Sequence, residues 1–337
     1  MLTFIYNKDQ RLFRKINSLK GRTVVITGAS SGAGRAAALA FASHGTALVL
    51  AGRNEKALTE IAEECTKLGA RAKFVVTDVK DTAAMANLAL EAKNWNDSLD
   101  VWINNAGVLA AGTFDETPMA VHQQVILTNL FGYMNGAHAV LPIFKEQERG
   151  ILINNISIGG FLPVPYGGGY TASKFGLRGF FEALKGELIA WPHIHICDLF
   201  PAFLDTPGIQ HAANYTGRVL KPAPPVYDPA LVARAMVRVA LRPRSSTYIG
   251  GASIPLKTAH ALCPGFTTRT TGRVIHKYLK IADPIPHTDG NLFNTVDFGM
   301  STNGNSIHRA RPGRKLIAAG VLTGLAVGVF FLGRKNL

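Results

Sequence analysis

The chain has 337 residues, 47% apolar and only 17% charged, against roughly 25% charged in an ordinary soluble domain, which excludes a disordered chain. Three cysteines (Cys65, Cys197 and Cys263) with no C-x-x-C pair exclude a disulfide framework and a cysteine-based zinc site. The net charge of +14 is lopsided: residues 1–200 hold 19 Lys/Arg against 17 Asp/Glu and residues 201–337 hold 17 against 5, a basic half suited to nucleic acid or an anionic membrane.

Residues 1–20 are broken up by charges and carry no apolar core of signal-peptide length, so they read as an N-terminal extension. From Gly21 short apolar runs alternate with helical patterns. Strands are predicted at Thr23–Thr27, Ala47–Ala51, Lys73–Thr77, Leu99–Ile103, Ile151–Asn155 and Ile194–Phe200. Helices are predicted near 33–43, 54–68, 81–95, 116–144 and 170–190, with a last helix near 228–241 and a last strand near 246–250. Nearly unbroken Val/Ile/Leu runs suit strands covered on both faces, and the alternation predicts an α/β, doubly wound parallel sheet of the Rossmann type over residues 21–255.

The first strand runs into Thr27-Gly28-Ala29-Ser30-Ser31-Gly32-Ala33-Gly34 and then an Ala-rich helix. Glycines at a strand-to-helix turn let the backbone approach a pyrophosphate, and the helix N-terminus offers amide donors, so Gly28, Ser30, Ser31, Gly32, Ala33 and Gly34 form the expected dinucleotide turn. After the second strand an NAD site usually places an acid on the ribose hydroxyls. Here Gly52-Arg53-Asn54 stands instead, and Arg53 can reach a 2′-phosphate, so NADP (NADPH) is expected over NAD.

Tyr170 and Lys174 form a Y-x-x-x-K pair at the start of a helix, and i,i+4 spacing puts both on one face. A phenol of pKa near 10 exchanges protons poorly at neutral pH, and a neighbouring ammonium is expected to lower that value, making Tyr170 a general acid/base. Ser157 falls at the end of the fifth strand, the sheet edge where open α/β folds place their chemistry, and is expected to hold the substrate oxygen. His193 and His195 share a strand face but have no third ligand in view, so no metal site is expected.

The T-G-x-x-x-G-x-G turn, N-N-A-G at Asn104–Gly107 and the Y-x-x-x-K pair, in that order over roughly residues 20–250, resemble the single-domain branch of the short-chain dehydrogenase/reductase family. The resemblance implies that Asp78 and Val79 contact adenine, and that Asn105, Ala106 and Gly107 line the cofactor cleft. It also implies that Pro201 and Thr206 touch the nicotinamide carboxamide, that Lys174 holds the nicotinamide ribose, and that Asn129 completes a Ser-Tyr-Lys-Asn tetrad by holding a water behind Lys174. Ala202 departs from the glycine usual after the proline. Family members often form homodimers through the helices that correspond to 116–144 and 170–190.

Residues 256–315 read as a less regular, basic extension. Within it Arg273, Lys277 and Lys280 share one helical face and Val274, Ile275, Tyr278 and Leu279 another, so 267–281 either packs on the domain with a solvated basic face or touches a membrane. Residues 316–332, LIAAGVLTGLAVGVFFL, are apolar all round and span about 26 Å as a helix. With basic flanks, and Gly320, Gly324 and Gly328 as a small-residue stripe, 316–333 is expected to be a transmembrane anchor touching membrane lipid. Arg309, Arg311, Arg314 and Lys315 outnumber Arg334 and Lys335, which keeps the catalytic domain on the cytosolic side. Nothing resembles a nucleic-acid-binding motif, so the membrane accounts for the basic half. The reading is a membrane-anchored NADP-dependent carbonyl reductase/alcohol dehydrogenase acting on a hydrophobic carbonyl or alcohol. Its alternative is a membrane-bound nucleotide-binding scaffold of the same fold.

Overall fold

A computed structural model describes residues 18–304. In chain order the chain forms β1 (Thr23–Thr27), α1 (Gly32–Ala42), β2 (Ala47–Gly52), α2 (Glu55–Lys67), β3 (Arg71–Val76), α3 (Thr82–Asn96), β4 (Val101–Asn104) and the two-residue β5 (Ala110–Ala111). There follow α4 (Met119–Ile126), a π-turn (Leu127–Phe131), α5 (Gly132–Glu146), β6 (Gly150–Asn155), α6 (Gly168–Glu187), β7 (Ile194–Pro201) and β8 (Ala213–Asn214). The described chain ends with α7 (Ala230–Leu241), β9 (Ser246–Ile249), α8 (Ser253–Leu262), α9 (Pro264–Ile281) and an extended tail.

Seven strands form one sheet in the order β3-β2-β1-β4-β6-β7-β9, and every neighbouring pair is parallel. Strand alternation divides the apolar side chains between two cores. Val24, Ile26, Leu48 and Leu50 face α1, α2 and α7, while Val25, Val49, Trp102 and Leu152 face α3, α5 and α6. Strand order reverses between β1 and β4, which opens a crevice at the carboxyl edge where ligands of such sheets bind.

A polar ladder crosses the sheet just below that edge. Register brings Asn104, Asn154 and Asp198 side by side on β4, β6 and β7. Trp102 Nε1 donates to Asn104 Oδ1 at 2.9 Å, Asn104 Nδ2 to Asn154 Oδ1 at 3.0 Å, and Asn154 Nδ2 to Asp198 Oδ1 at 2.9 Å. Lys185 of α6 closes the row on Asp198. Each buried polar group thus finds a partner, which is the condition for placing such groups in a core.

Two differences from the sequence expectation have physical causes. The single helix expected over 116–144 is interrupted by the π-turn at Leu127–Phe131, whose extra residue per turn hydropathy periodicity does not reveal. The extension expected to be less regular also holds α8, while the amphipathic segment expected at 267–281 forms α9 and packs on the domain, the first of its two alternatives: Tyr278 Oη donates to Val219 O at 2.6 Å. Arg273, Lys277 and Lys280 stay exposed. Among the described residues no helix is long and apolar enough to cross a membrane; the span expected at 316–333 lies outside them.

Candidate active site

The β1–α1 turn is shaped by glycines that nothing else replaces. Gly28 has φ +66°, and a Cβ there would sit 2.7 Å from the Ala106 backbone. A Cβ on Gly34 would sit 2.1 Å from Gly28 O and 2.5 Å from Asn105 Nδ2. Thr27 and Asn105 clasp the turn to the end of β4: Thr27 Oγ1 accepts from Asn105 N (3.0 Å) and Ala106 N (3.2 Å), and Asn105 Nδ2 donates to Thr27 O and Gly28 O at 3.1 Å. The N-cap Ser31 makes no side-chain capping bond, and no acid lies in the first turn of α1. The positive end of α1 is therefore left without a side-chain counter-charge, as a pyrophosphate requires.

A cavity of about 580 Å3 runs along the carboxyl edge from this turn. It is lined by Gly28, Ser30, Ser31, Gly32, Ala33, Arg53, Asp78, Val79, Asn105, Ala106, Gly107, Ser157, Tyr170, Lys174, Pro201 and Thr206. Of the expected site residues only Gly34 and Asn129 stand behind its wall. Two buried acceptors on the wall, Thr128 Oγ1 and Asn155 Oδ1, lack a protein partner. Room, orphaned polar atoms, the glycine cradle and a helix N-terminus with no acid in its first turn together fit a nicotinamide dinucleotide.

Tyr170 occupies the first turn of α6, with Lys174 one turn on and Lys174 Nζ 5.6 Å from the Tyr170 ring centroid. Ser157, at the end of β6, hydrogen-bonds the phenol, and its Oγ also accepts from Gly159 N at 3.1 Å. Ser157 has φ +112° and ψ 155°, a region almost reserved for glycine, so its backbone is held under strain beside Tyr170. Asn129 sits in the π-turn, fully buried. Its amide bonds Val108 both ways (Val108 N to Oδ1 2.8 Å, Nδ2 to Val108 O 2.9 Å) and donates to Ser173 Oγ at 3.3 Å. Asn129 thereby joins the loop after β4 to the residue before Lys174.

The electrostatics correct one expectation. Burial raises the Tyr170 phenol above its ordinary value, and the Ser157 hydrogen bond only partly offsets this. Burial also lowers the Lys174 ammonium to about 7. Lys174 is 5% exposed, and among the described residues no carboxylate pairs with it. Desolvation thus opposes charge on both groups in the open cleft, raising the phenol and lowering the ammonium.

Sequence reasoning missed Tyr133, whose buried phenol donates to Asn155 O at 2.8 Å and whose ring centroid lies 5.2 Å from Lys174 Nζ. It also missed the partners of Arg53. The guanidinium lines the cavity but donates to main-chain carbonyls of Asn291 (2.5 Å), Leu292 (3.4 Å) and Phe293 (3.5 Å). No local signal ties residue 53 to residues some 240 positions away. For α9 a signal existed: Ile275, Tyr278 and Leu279 of its apolar face line the outer cavity wall.

A family model described as short chain dehydrogenase matches residues 22–215. The chain belongs to the short-chain dehydrogenase/reductase family. Its relatives include the uncharacterized oxidoreductase YxnA of Bacillus subtilis, 28% identical over 92% of this chain and 90% of that protein. Dehydrogenase/reductase SDR family member 7B of Mus musculus is 36% identical over 58% of this chain and 62% of that protein. Among solved structures, an alcohol dehydrogenase from Thermococcus sibiricus complexed with 5-hydroxy-NADP superimposes with a TM-score of 0.58 at 26% identity, over 68% of this chain and 96% of that one. As a short-chain dehydrogenase/reductase the chain is an oxidoreductase whose fold binds a nicotinamide cofactor and whose substrates are small carbonyl or alcohol compounds.

Proposed function

We propose that the chain is an NADP-dependent reductase of hydrophobic carbonyl compounds. The convergence of Ser157, Tyr170 and Lys174 on the apolar end of the cavity, next to a dinucleotide turn, carries this reading. When bound, NADPH supplies the hydride. Ser157 Oγ, already accepting from Gly159 N, donates to the substrate oxygen and orients it. Tyr170 Oη, kept neutral by burial, releases its proton to that oxygen as negative charge develops there. Lys174 Nζ stabilises the phenolate left behind and holds the nicotinamide ribose, and Asn129 holds a water behind it. Gly28, Ser30, Ser31, Gly32 and Ala33 hold the pyrophosphate end, Asp78 and Val79 the adenine, and Pro201 and Thr206 the carboxamide.

Arg53 at the cofactor end supports NADP over NAD. Leu162, Pro163, Val164, Phe203, Leu204 and Ile209 on the opposite wall support a lipophilic substrate. We propose a C-terminal membrane anchor at 316–333 with the catalytic domain facing the cytosol, on the apolar run and its basic flanks. Homodimer formation through the helices over 116–144 and 170–190 is supported by the exposed Met119, Leu127 and Phe131 in the first of them. The deciding experiment follows NADPH and NADH oxidation by detergent-solubilised protein with a panel of hydrophobic aldehydes and ketones. Turnover with NADPH, lost in Tyr170→Phe, is expected, and absence of turnover with every carbonyl would overturn the reading. Resistance of the full chain to extraction from membranes by alkaline carbonate checks the anchor.

A further inference from the structure

Beyond α9 the chain turns back across the cofactor end of the cavity. Asn291, Thr295, Val296 and Met300 line that end, and the tail is tied down on both sides of the crevice. On one side Arg53 donates to the carbonyls of residues 291–293, Asn54 Nδ2 donates to Val296 O at 3.0 Å, and Gly32 N, at the start of α1, donates to Ser301 O at 2.8 Å. On the other side Asn291 N donates to His211 O (2.8 Å), His211 Nε2 bonds Phe298 O (2.8 Å), and Gly304 N donates to Asp205 O (3.0 Å). Leu292 is the fully buried anchor, packed with Val108, Val121, Val125 and Ala213.

The close fit is written in glycines. Gly290 (φ +52°) and Gly299 (φ +70°) need a left-handed backbone, and a Cβ on them would meet His211 O at 2.1 Å and His211 Nε2 at 2.5 Å. On Gly304 a Cβ would meet Thr206 O at 2.7 Å. Thr206 is itself one of the cavity-lining residues, so the tail and the cofactor wall share contacts at both ends.

We propose that residues 288–304 are a retaining strap of the dinucleotide site: they roof its phosphate end, fix the Arg53 guanidinium through their carbonyls, and must lift for the cofactor to exchange. The strap thereby positions the residue on which NADP selectivity turns. This inference rests on the reading that the cleft binds NADP(H). A guanidinium held by three carbonyls is confined to one small volume, so its reach toward a 2′-phosphate depends on where the strap lies. Entry and release alike require breaking the Asn54, Gly32 and His211 bonds, so the strap slows cofactor exchange, and loosening it is read most directly as faster release.

The test uses the full chain and NADPH and NADH as fluorescent probes, without substrate. Leu292→Ala removes the buried anchor and is expected to speed NADPH release about tenfold and to narrow the NADPH-over-NADH affinity ratio several-fold. Phe298→Ala, which removes only an exposed ring stacked edge-on against His211, is expected to act in the same direction more weakly, and it serves if Leu292→Ala does not fold. Independently, chymotrypsin cleavage after the exposed Phe293 and Phe298 is expected to slow about fivefold or more when NADPH is bound. Wild-type release rates and selectivity in a folded variant, or cleavage indifferent to NADPH, would overturn the strap. Failure of the wild-type protein to bind either dinucleotide would instead overturn the cofactor reading on which it rests.

Discussion

The two ends of α6 treat a lysine in opposite ways. Near its C-terminus Lys185 meets the buried Asp198, which is also bonded by Asn154, so charge and hydrogen-bonding capacity are matched across β6 and β7. Near its N-terminus Lys174 is buried without a carboxylate partner, beside a phenol that burial keeps protonated. A matched pair holds strands together. An unmatched pair is a cost to folding that a bound molecule can offset, and such mismatches mark places where chemistry is done.

The contrast is sharpest in turnover. Tyr170→Phe removes the phenolic proton while keeping the ring, and the expected loss is about 1000-fold or more in turnover with NADPH affinity nearly unchanged by fluorescence titration. Retained activity would erase the distinction between the two ends. The next effect is on stability. Lys185→Met strands the Asp198 carboxylate and is expected to cost about 3–5 kcal/mol in urea unfolding.

Lys174→Met should move stability the other way. The folded-state pKa of Lys174 lies below its unfolded value, so near neutral pH the unfolded chain binds the extra proton and stability rises with pH between about 7 and 10. The variant lacks this penalty. It is expected to be more stable than wild type at pH 7, with the advantage shrinking toward pH 10, while turnover falls; a constant difference across that range would show that Lys174 is not depressed. The smallest effect concerns Ser157. Ser157→Ala keeps the strained backbone and Ser157→Gly relieves it, so the glycine variant is expected to be the more stable of two inactive proteins by about 1 kcal/mol, and the reverse order would remove strain from the account.

These features were not equally legible in the sequence. Gly28 and Gly34 could be read because their role is a backbone conformation and a close approach that other residues forbid. Tyr170 and Lys174 could be read because a four-residue spacing fixes a shared helix face. The sign of their pKa shifts could not, since it depends on how deeply the fold buries both groups. The place of Asn129 in a π-turn was hidden because one inserted residue leaves the hydropathy of 116–144 unchanged. The strap was hidden for a different reason. Its contacts to Gly32, Arg53 and His211 run through main-chain carbonyls, which every residue carries and no side chain announces.

The outermost position of β3 has a consequence for solubility. A strand paired on one side only offers its other rim to any passing strand. Here that rim belongs to the segment carrying Arg71 and Lys73, with their cations over the Trp95 ring at 4.9 and 5.6 Å and Lys73 also bound to Glu91 at 3.0 Å. Another strand docking there would have to accommodate two cations and their partners, so edge-to-edge pairing is opposed at this margin.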